Sequence, residues 1–205
     1  MTLTRTPIAS GAESIIYINS EDQIEKDRIP KPYRIPEIDR SLRTSRTKRE
    51  AKILQKLTML KIPVPKLLSV KSDCIVMENI EGIQLKKILD TEPFLAKRIG
   101  EHLARMHDHH IIHGDLTTSN MILNHSTSTP ELYFIDFGLS FISARIEDKA
   151  VDIHLFKQAL ESKHFTVDKE AYRFFLEGYH LKDRDEILQR LEEVETRGRY
   201  KEKFS

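Results

Sequence analysis

Three oxygen-bearing side chains stand out by their order and spacing. Asp115 lies in the run Ile112-His113-Gly114-Asp115-Leu116-Thr117-Thr118-Ser119-Asn120-Met121; Asn120 closes that run, and Asp136 follows in Phe134-Ile135-Asp136-Phe137-Gly138. Moving a phosphoryl group needs a carboxylate beside the attacking hydroxyl or water. It also needs an amide and a second carboxylate to hold Mg²⁺ against the phosphates. Asp115, Asn120 and Asp136 are those groups in that order. Either segment alone is common by chance. Both together, each beside an apolar β-like run (Met121 to Leu123, Leu132 to Ile135), are hard to obtain accidentally; the competing reading is two ordinary polar turns between core strands.

The pair of segments is similar to the catalytic loop and metal turn of protein-kinase-like phosphotransferases, and the remaining parts can be sought on that frame. A triphosphate needs a cation held by an acidic partner, which keeps it out of solvent. Lys26 is the best lysine, with Lys31 nearby as a rival and Glu25 and Asp27 as unusual charged neighbours; a solvated strand lysine is the plainer alternative. Glu50, next to the small Ala51 in Arg46-Thr47-Lys48-Arg49-Glu50-Ala51, is the best partner, set against a reading as one more exposed helix charge. In Val76-Met77-Glu78-Asn79-Ile80, Met77 is expected behind an adenine base, with the Glu78 carbonyl and Ile80 amide pairing with its edge. Gly11, in Ser10-Gly11-Ala12-Glu13-Ser14, is at best a reduced phosphate-covering loop, since no other glycine precedes Gly82. His113 reads as packing beneath the loop, and Asp152 as a scaffold for the loop backbone. His107, His109 and His110 read as a polar helix end, because metal-site spacing is missing around them.

These residues need elements to position them. The isoleucine-rich runs Ala12 to Ile18 and Gln23 to Ile29 flank a turn and predict a β-hairpin. After prolines 30, 32 and 36, the span Ile38 to Leu60 has helical periodicity, with Leu54 and Leu57 on one face and Lys48, Arg49, Lys52 and Lys56 mostly on the other. Its basic part, Arg40 to Arg49, reads mostly as a solvated face, with RNA contact as the alternative. Leu67 to Val70 and Ile75 to Met77 predict two further strands. Downstream, the stripes Phe94, Leu95, Ile99, Leu103, Met106, then Ile153, Phe156, Leu160, then Ile187, Leu188, Leu191, Val194 predict core-facing helices, and Met121 and Leu132 begin the arms of a second hairpin. The expected fold is α+β, a minimal bilobal protein-kinase-like domain over 1–205. It has a reduced β-rich N-lobe with one long helix (1–77), a hinge (78–82), a small mainly helical C-lobe (83–196) and a basic, weakly ordered tail (197–205).

Bulk properties exclude more than they assign. Lys plus Arg number 33 against 32 for Asp plus Glu, a net charge of +1, so any case for a nucleic-acid partner must be local. Cys74 is the single cysteine, which rules out an intrachain disulfide and a cysteine zinc cluster and suits a reducing compartment; in Asp73-Cys74-Ile75-Val76-Met77 it reads as a buried strand residue. No apolar run reaches a membrane span and the start lacks a signal-peptide core, so a cytoplasmic protein without membrane attachment is expected. Gly114 stands where regulated kinases carry the arginine that receives an activation-loop phosphate. Only a short segment separates Gly138 from Asp148, and Ala-Pro-Glu is absent, which leaves little surface for gripping a peptide.

A more specific resemblance covers almost the whole chain. Ser10-Gly11-Ala12-Glu13, Lys26-Asp27-Arg28-Ile29-Pro30-Lys31-Pro32-Tyr33-Arg34, Arg46 to Ala51, His113 to Asn120, Asp136-Phe137-Gly138-Leu139-Ser140, Glu147 to Asp152 and Arg197-Gly198-Arg199 resemble the small atypical kinase/ATPase subunit of the KEOPS complex. The resemblance favours Lys26 over Lys31 and supports Glu50. It implies an ATPase and Ser/Thr protein kinase using ATP and Mg²⁺, with Asp115 positioning water or a hydroxyl and Lys26, Asn120 and Asp136 serving the nucleotide and metal. It further implies service in making threonylcarbamoyladenosine on tRNAs that read codons beginning with A. A transferase subunit of ASKHA fold would bind the C-lobe, a small KEOPS subunit the N-lobe, and tRNA would be met through the complex and the Arg197/Arg199 tail. Here Tyr200 to Phe204 dilutes the tail's charge. Two other readings stay open: a small-molecule phosphotransferase of aminoglycoside or choline kinase type, and a nucleotide-binding scaffold without turnover.

Overall fold

The computed structural model describes residues 5–126 and 130–202, the last six by backbone alone. The chain divides into two units, Met1–Glu81 and Gly82–Ser205. In the first unit, strands β1 (Arg5–Ser10), β2 (Ser14–Asn19) and β3 (Gln23–Arg28) are followed by helix α1 (Pro36–Met59) and strands β4 (Leu67–Val70) and β5 (Cys74–Glu78). They form one antiparallel sheet in the order β1-β2-β3-β5-β4. Strand β1 carries little apolar sequence and is exposed throughout, which is why periodicity gave no warning of it; its Pro7 is tolerable because the strand is an edge. Pro36 opens α1 at a position where a missing N–H costs nothing.

Helix α1 packs on β4 and β5 through Ile53, Leu54 and Leu57, but nearer its start the buried face is polar: Asp39, Thr47 and Glu50. Buried charge needs partners. Asp39 accepts from the Lys31 backbone amide (3.2 Å) and Arg43 Nε (2.8 Å) and lies 3.5 Å from Arg34 Nη1, so the proline-rich connection is folded back onto the helix.

The second unit contains β6 (Ile83–Gln84), α2 (Ala96–Asp108), β7 (Ile111–Ile112), β8 (Met121–Asn124), β9 (Glu131–Phe134), β10 (Phe141–Ile142), α3 (Ile146–Lys163), α4 (Asp168–Gly178) and α5 (Arg184–Glu202). Strands β6-β8-β9 form one small sheet and β10-β7 another. Ile99, Leu103, Met106, Phe156, Leu160, Phe175, Tyr179 and Ile187 are fully buried in its core. Helices α2 and α4 cross at Gly100 and Gly178; a Cβ on Gly100 would run into the Phe175 carbonyl, and one on Gly178 into the Lys97 carbonyl. Three expectations are corrected here. Phe94 is 54% exposed and lies in a 3₁₀ turn just ahead of α2, outside the core stripe. His107 is no polar helix end but fully buried. The backbone of 197–202 continues α5 as helix, while 203–205 lie outside the described residues. No helix among the described residues is long and apolar enough to cross a membrane.

Candidate active site

In the first unit the period-two alternation of β3 sorts its charges. Lys26 and Arg28 point to the α1 side, where Lys26 Nζ lies 2.7 Å from Glu50 Oε1 and Arg28 Nη2 lies 2.6 Å from Glu50 Oε2, all three side chains buried. Glu25 and Asp27 point to the other side, where Arg5 on β1 grips both, at 3.2 and 2.9 Å. The charged neighbours of Lys26 thus belong to a separate clamp. Lys31, the rival cation, donates instead to the Ala12 carbonyl in the β1–β2 turn. That turn is Gly11 to Glu13, and Glu13 is held by Arg34 Nη2 (3.3 Å) and Arg46 Nη1 (2.5 Å). Partial burial pushes the Glu13 carboxyl up, but the two guanidiniums outweigh it and leave it below the usual range. Met77 is buried in β5, Ile80 is buried just beyond, and the Glu78 side chain accepts from the Lys66 amide at 3.1 Å.

In the second unit a 3₁₀ turn at Thr118–Asn120 carries the loop into β8. Asn120 Nδ2 donates to both the Asp115 carbonyl (2.9 Å) and Asp115 Oδ2 (2.8 Å). The amide thereby fixes the carboxylate and keeps its own Oδ1 as an acceptor. Asp136 adopts φ +61°, a left-handed conformation that Asp tolerates better than most residues, and its Oδ1 accepts from the Gly138 amide at 3.2 Å. Loop and turn are tied together: Ile135 N donates to the Asn120 carbonyl (3.0 Å) and Ser140 Oγ to the His113 carbonyl (2.6 Å). Gly114 sits at φ +80° with a Cβ position only 2.6 Å from the Leu139 carbonyl, so glycine here serves the approach of the turn to the loop.

Beneath lies a buried support. Asp152 accepts from the amides of His113 (2.7 Å) and Gly114 (2.9 Å), and His107 Nε2 lies 3.2 Å from it while His107 Nδ1 meets the Tyr179 hydroxyl at 2.7 Å. Burial alone would raise the Asp152 carboxyl, but the hydrogen bonds from the His107 ring and the His113 amide bring it below its ordinary value. Burial also holds His107 and His113 below theirs, so both are neutral. His113 packs under Phe137 with ring centroids 4.8 Å apart.

Arg28 and His107 were missed by sequence reasoning, though both left a trace. Arg28 lies two residues from Lys26, hence on the same strand face, and His107 falls four residues after Leu103 on an apolar helix face. Thr118 Oγ1, His164 Nε2 (2.9 Å) and Asp90 (2.6 Å from His164 Nδ1) form a further strut under the loop that no spacing announced.

Comparison with known proteins fits this geometry. A model of the RIO domain matches residues 20–150. The chain is 40% identical to the KEOPS complex subunit Bud32 of Pyrococcus abyssi, with 96% of each chain covered. It belongs to the Bud32 family. A bifunctional tRNA threonylcarbamoyladenosine biosynthesis protein of Methanobrevibacter smithii, named as probable, is 43% identical over 94% of this chain, which spans 36% of that longer protein. The Bud32 fold seen here is protein-kinase-like: the Rio2 kinase of Chaetomium thermophilum, solved as an ADP/Mg²⁺-phosphoaspartate complex, superposes with a TM-score of 0.64 at 15% identity, covering 96% of this chain and 71% of Rio2.

Proposed function

We propose that this chain is a Mg-ATP-dependent ATPase and atypical Ser/Thr protein kinase, and that it works as a KEOPS subunit in forming threonylcarbamoyladenosine on tRNAs reading codons that begin with A. Membership of the Bud32 family and the names its relatives carry support the tRNA-modification part. The observation that carries the phosphoryl-transfer part is the grip of Asn120 Nδ2 on Asp115, which presents a fixed carboxylate and a free amide oxygen from one loop.

Asp115 would accept the hydrogen bond of an attacking hydroxyl or water and take its proton as the new bond to the γ-phosphorus forms and the bond from that phosphorus to the bridging oxygen breaks, with ADP leaving. Lys26, steadied by Glu50, would neutralise phosphate charge. Asn120 Oδ1 and the Asp136 carboxylate are hard oxygen donors. Two such ligands with phosphates and water completing the shell suit Mg²⁺, and among the described residues no cluster of three His, Cys, Asp or Glu offers a softer or fuller site. The metal, when bound, supplies charge neutralisation at the phosphates. Met77, with the Glu78 carbonyl and Ile80 amide, would receive the base, and Gly11 would lie over the phosphates. The ASKHA-fold transferase would meet the second unit and a small KEOPS subunit the first, in the cytoplasm.

The test is ATP turnover with Mg²⁺, wild type against Asp136→Ala, alone and with the transferase partner and tRNA. Phosphate release that the assembly stimulates and the variant loses is expected; no Asp136-dependent turnover in any combination would sink the enzymatic reading and leave a nucleotide-binding or scaffolding subunit.

A further inference from the structure

We propose that the outer face of α1 is a docking surface for the phosphate backbone of RNA. Glu37, Arg40, Ser41, Thr44, Ser45, Lys48, Arg49 and Lys52 line a shallow groove there, four cations against the single acid Glu37 at its N-terminal end. From Arg40 to Lys52 these positions recur at three- and four-residue intervals, so they form one stripe about 18 Å long on the side opposite the buried face.

What separates this stripe from an ordinary solvated helix face is how the charges of α1 are sorted. Past Asp39 the helix carries one acid, Glu50, and that acid is buried against Lys26 and Arg28. Arg43 is spent on Asp39 and Asp73, and Arg46 on Glu13. Among the described residues no carboxylate lies within ion-pairing distance of Arg40, Lys48, Arg49 or Lys52. A helix face selected only for solubility mixes acids with bases at i,i+4, whereas Lys48 and Lys52 repel at that spacing, at a cost of a few tenths of a kcal/mol. Arg40 also lies near the positive end of the helix dipole. The chain as a whole is nearly neutral, at +1, so the field is local.

The same groove favours a phosphate backbone over an acidic protein. Beside its four cations and the one carboxylate of Glu37, its lining holds three hydroxyls, donors that suit phosphate oxygens, and no aromatic or aliphatic side chain to anchor a protein interface. The exposed apolar residues Ile38 and Leu42 are outside that lining. The inference leans on the tRNA-modification reading only in choosing RNA as the polyanion.

The experiment measures binding of a fluorescently labelled tRNA transcript to the full chain by anisotropy across a salt series. Three variants are compared with wild type: Arg40→Gln/Lys48→Gln/Arg49→Gln/Lys52→Gln on the stripe, Lys86→Gln/Lys87→Gln/Lys97→Gln/Lys169→Gln on exposed sites elsewhere, and Ile38→Ser/Leu42→Ser. The stripe variant should lose at least about tenfold in affinity, and its slope of log K against log salt should shrink by about three, the release expected for four phosphate contacts. The other two should bind as wild type does. Equal losses in both charge variants, dependence on Ile38 and Leu42, or displacement of the RNA by poly-glutamate at matched charge would overturn the proposal. Asp136→Ala, with the stripe intact, separates this inference from the functional one: it should keep full RNA affinity, and threonylcarbamoyladenosine formation that ignores Asp136 would count against the functional reading alone.

Discussion

Glu50 is a single buried carboxylate shared by two buried cations, and that arrangement makes its two partners unequal in what their loss does. Removing the acid takes the shared carboxylate from two buried cations at once, the costly way to break a buried ion pair. Glu50→Gln should therefore lower stability by about 3 kcal/mol, read from urea unfolding, and abolish ATP turnover with it. Lys26→Met leaves Arg28 on Glu50 at 2.6 Å, so the fold should persist within about 1 kcal/mol while turnover is lost. Equal stability losses in the two variants would show that Arg28 does not carry the pair alone.

At the scale of elements, α2 and the loop after it bury three neutral imidazoles. Burial, with Arg105 and Arg98 nearby, pushes His102 down to about 4, and burial lowers His107 and His113 as well. Each takes up a proton on unfolding below its ordinary value near 6.5. Their contribution is therefore complete above about pH 6.5 and is lost as pH falls toward the lowered folded values. His102 alone should remove on the order of 2 kcal/mol between pH 7 and pH 5. His102→Gln should flatten that part of the dependence in urea unfolding, and a wild type equally stable at both pH values would contradict the burial of the ring. Asp152 acts in a lower window, because its depressed carboxyl gives up its contribution only as pH falls below the ordinary carboxylate range. The α2–α4 crossing is the other element-level device. Gly100→Ala places a Cβ against the Phe175 carbonyl and should cost about 2 kcal/mol, measured by thermal unfolding, where the same change on a solvated helix face would stabilise. These elements also show what could be read in advance. The β2–β3 hairpin was legible from its isoleucines and turn, α1 from its leucines near the C-terminal end, and α2, α3 and α5 from apolar residues recurring at helical spacing. Strand β1 has no apolar face, and α4 offers a short one, Ala171 and Phe175 on either side of Tyr172-Arg173-Phe174. The buried polar ties, Asp39 to the proline loop and Asp90-His164-Thr118, depend on tertiary closeness that no local spacing records.

Across the whole molecule the chemistry is divided: Lys26 and Glu50 belong to the first unit, and Asp115, Asn120 and Asp136 to the second. Each unit has buried apolar residues of its own, Leu54 and Leu57 in the first and Leu103 and Phe156 in the second. The proposed reaction, however, asks both sets of groups to serve one nucleotide, and groups that stabilise the same transition state do not contribute independently. A double-mutant cycle on turnover tests this at the right scale. Lys26→Arg and Asp136→Asn are the useful substitutions, because the first keeps the charge and the second the size, and each is expected to leave a residual rate to measure. If both act on one ATP, the doubly substituted chain should turn over within about threefold of the slower single variant, a coupling comparable to the smaller single effect. Losses that simply multiply would mean that the lysine and the aspartate act on separate events, and the strand cation would then be a structural partner of Glu50 rather than part of the phosphoryl-transfer machinery. Stability has to be measured beside the rates, since a shared loss of fold would mimic coupling, and unfolding midpoints of the single variants close to wild type are the expected result.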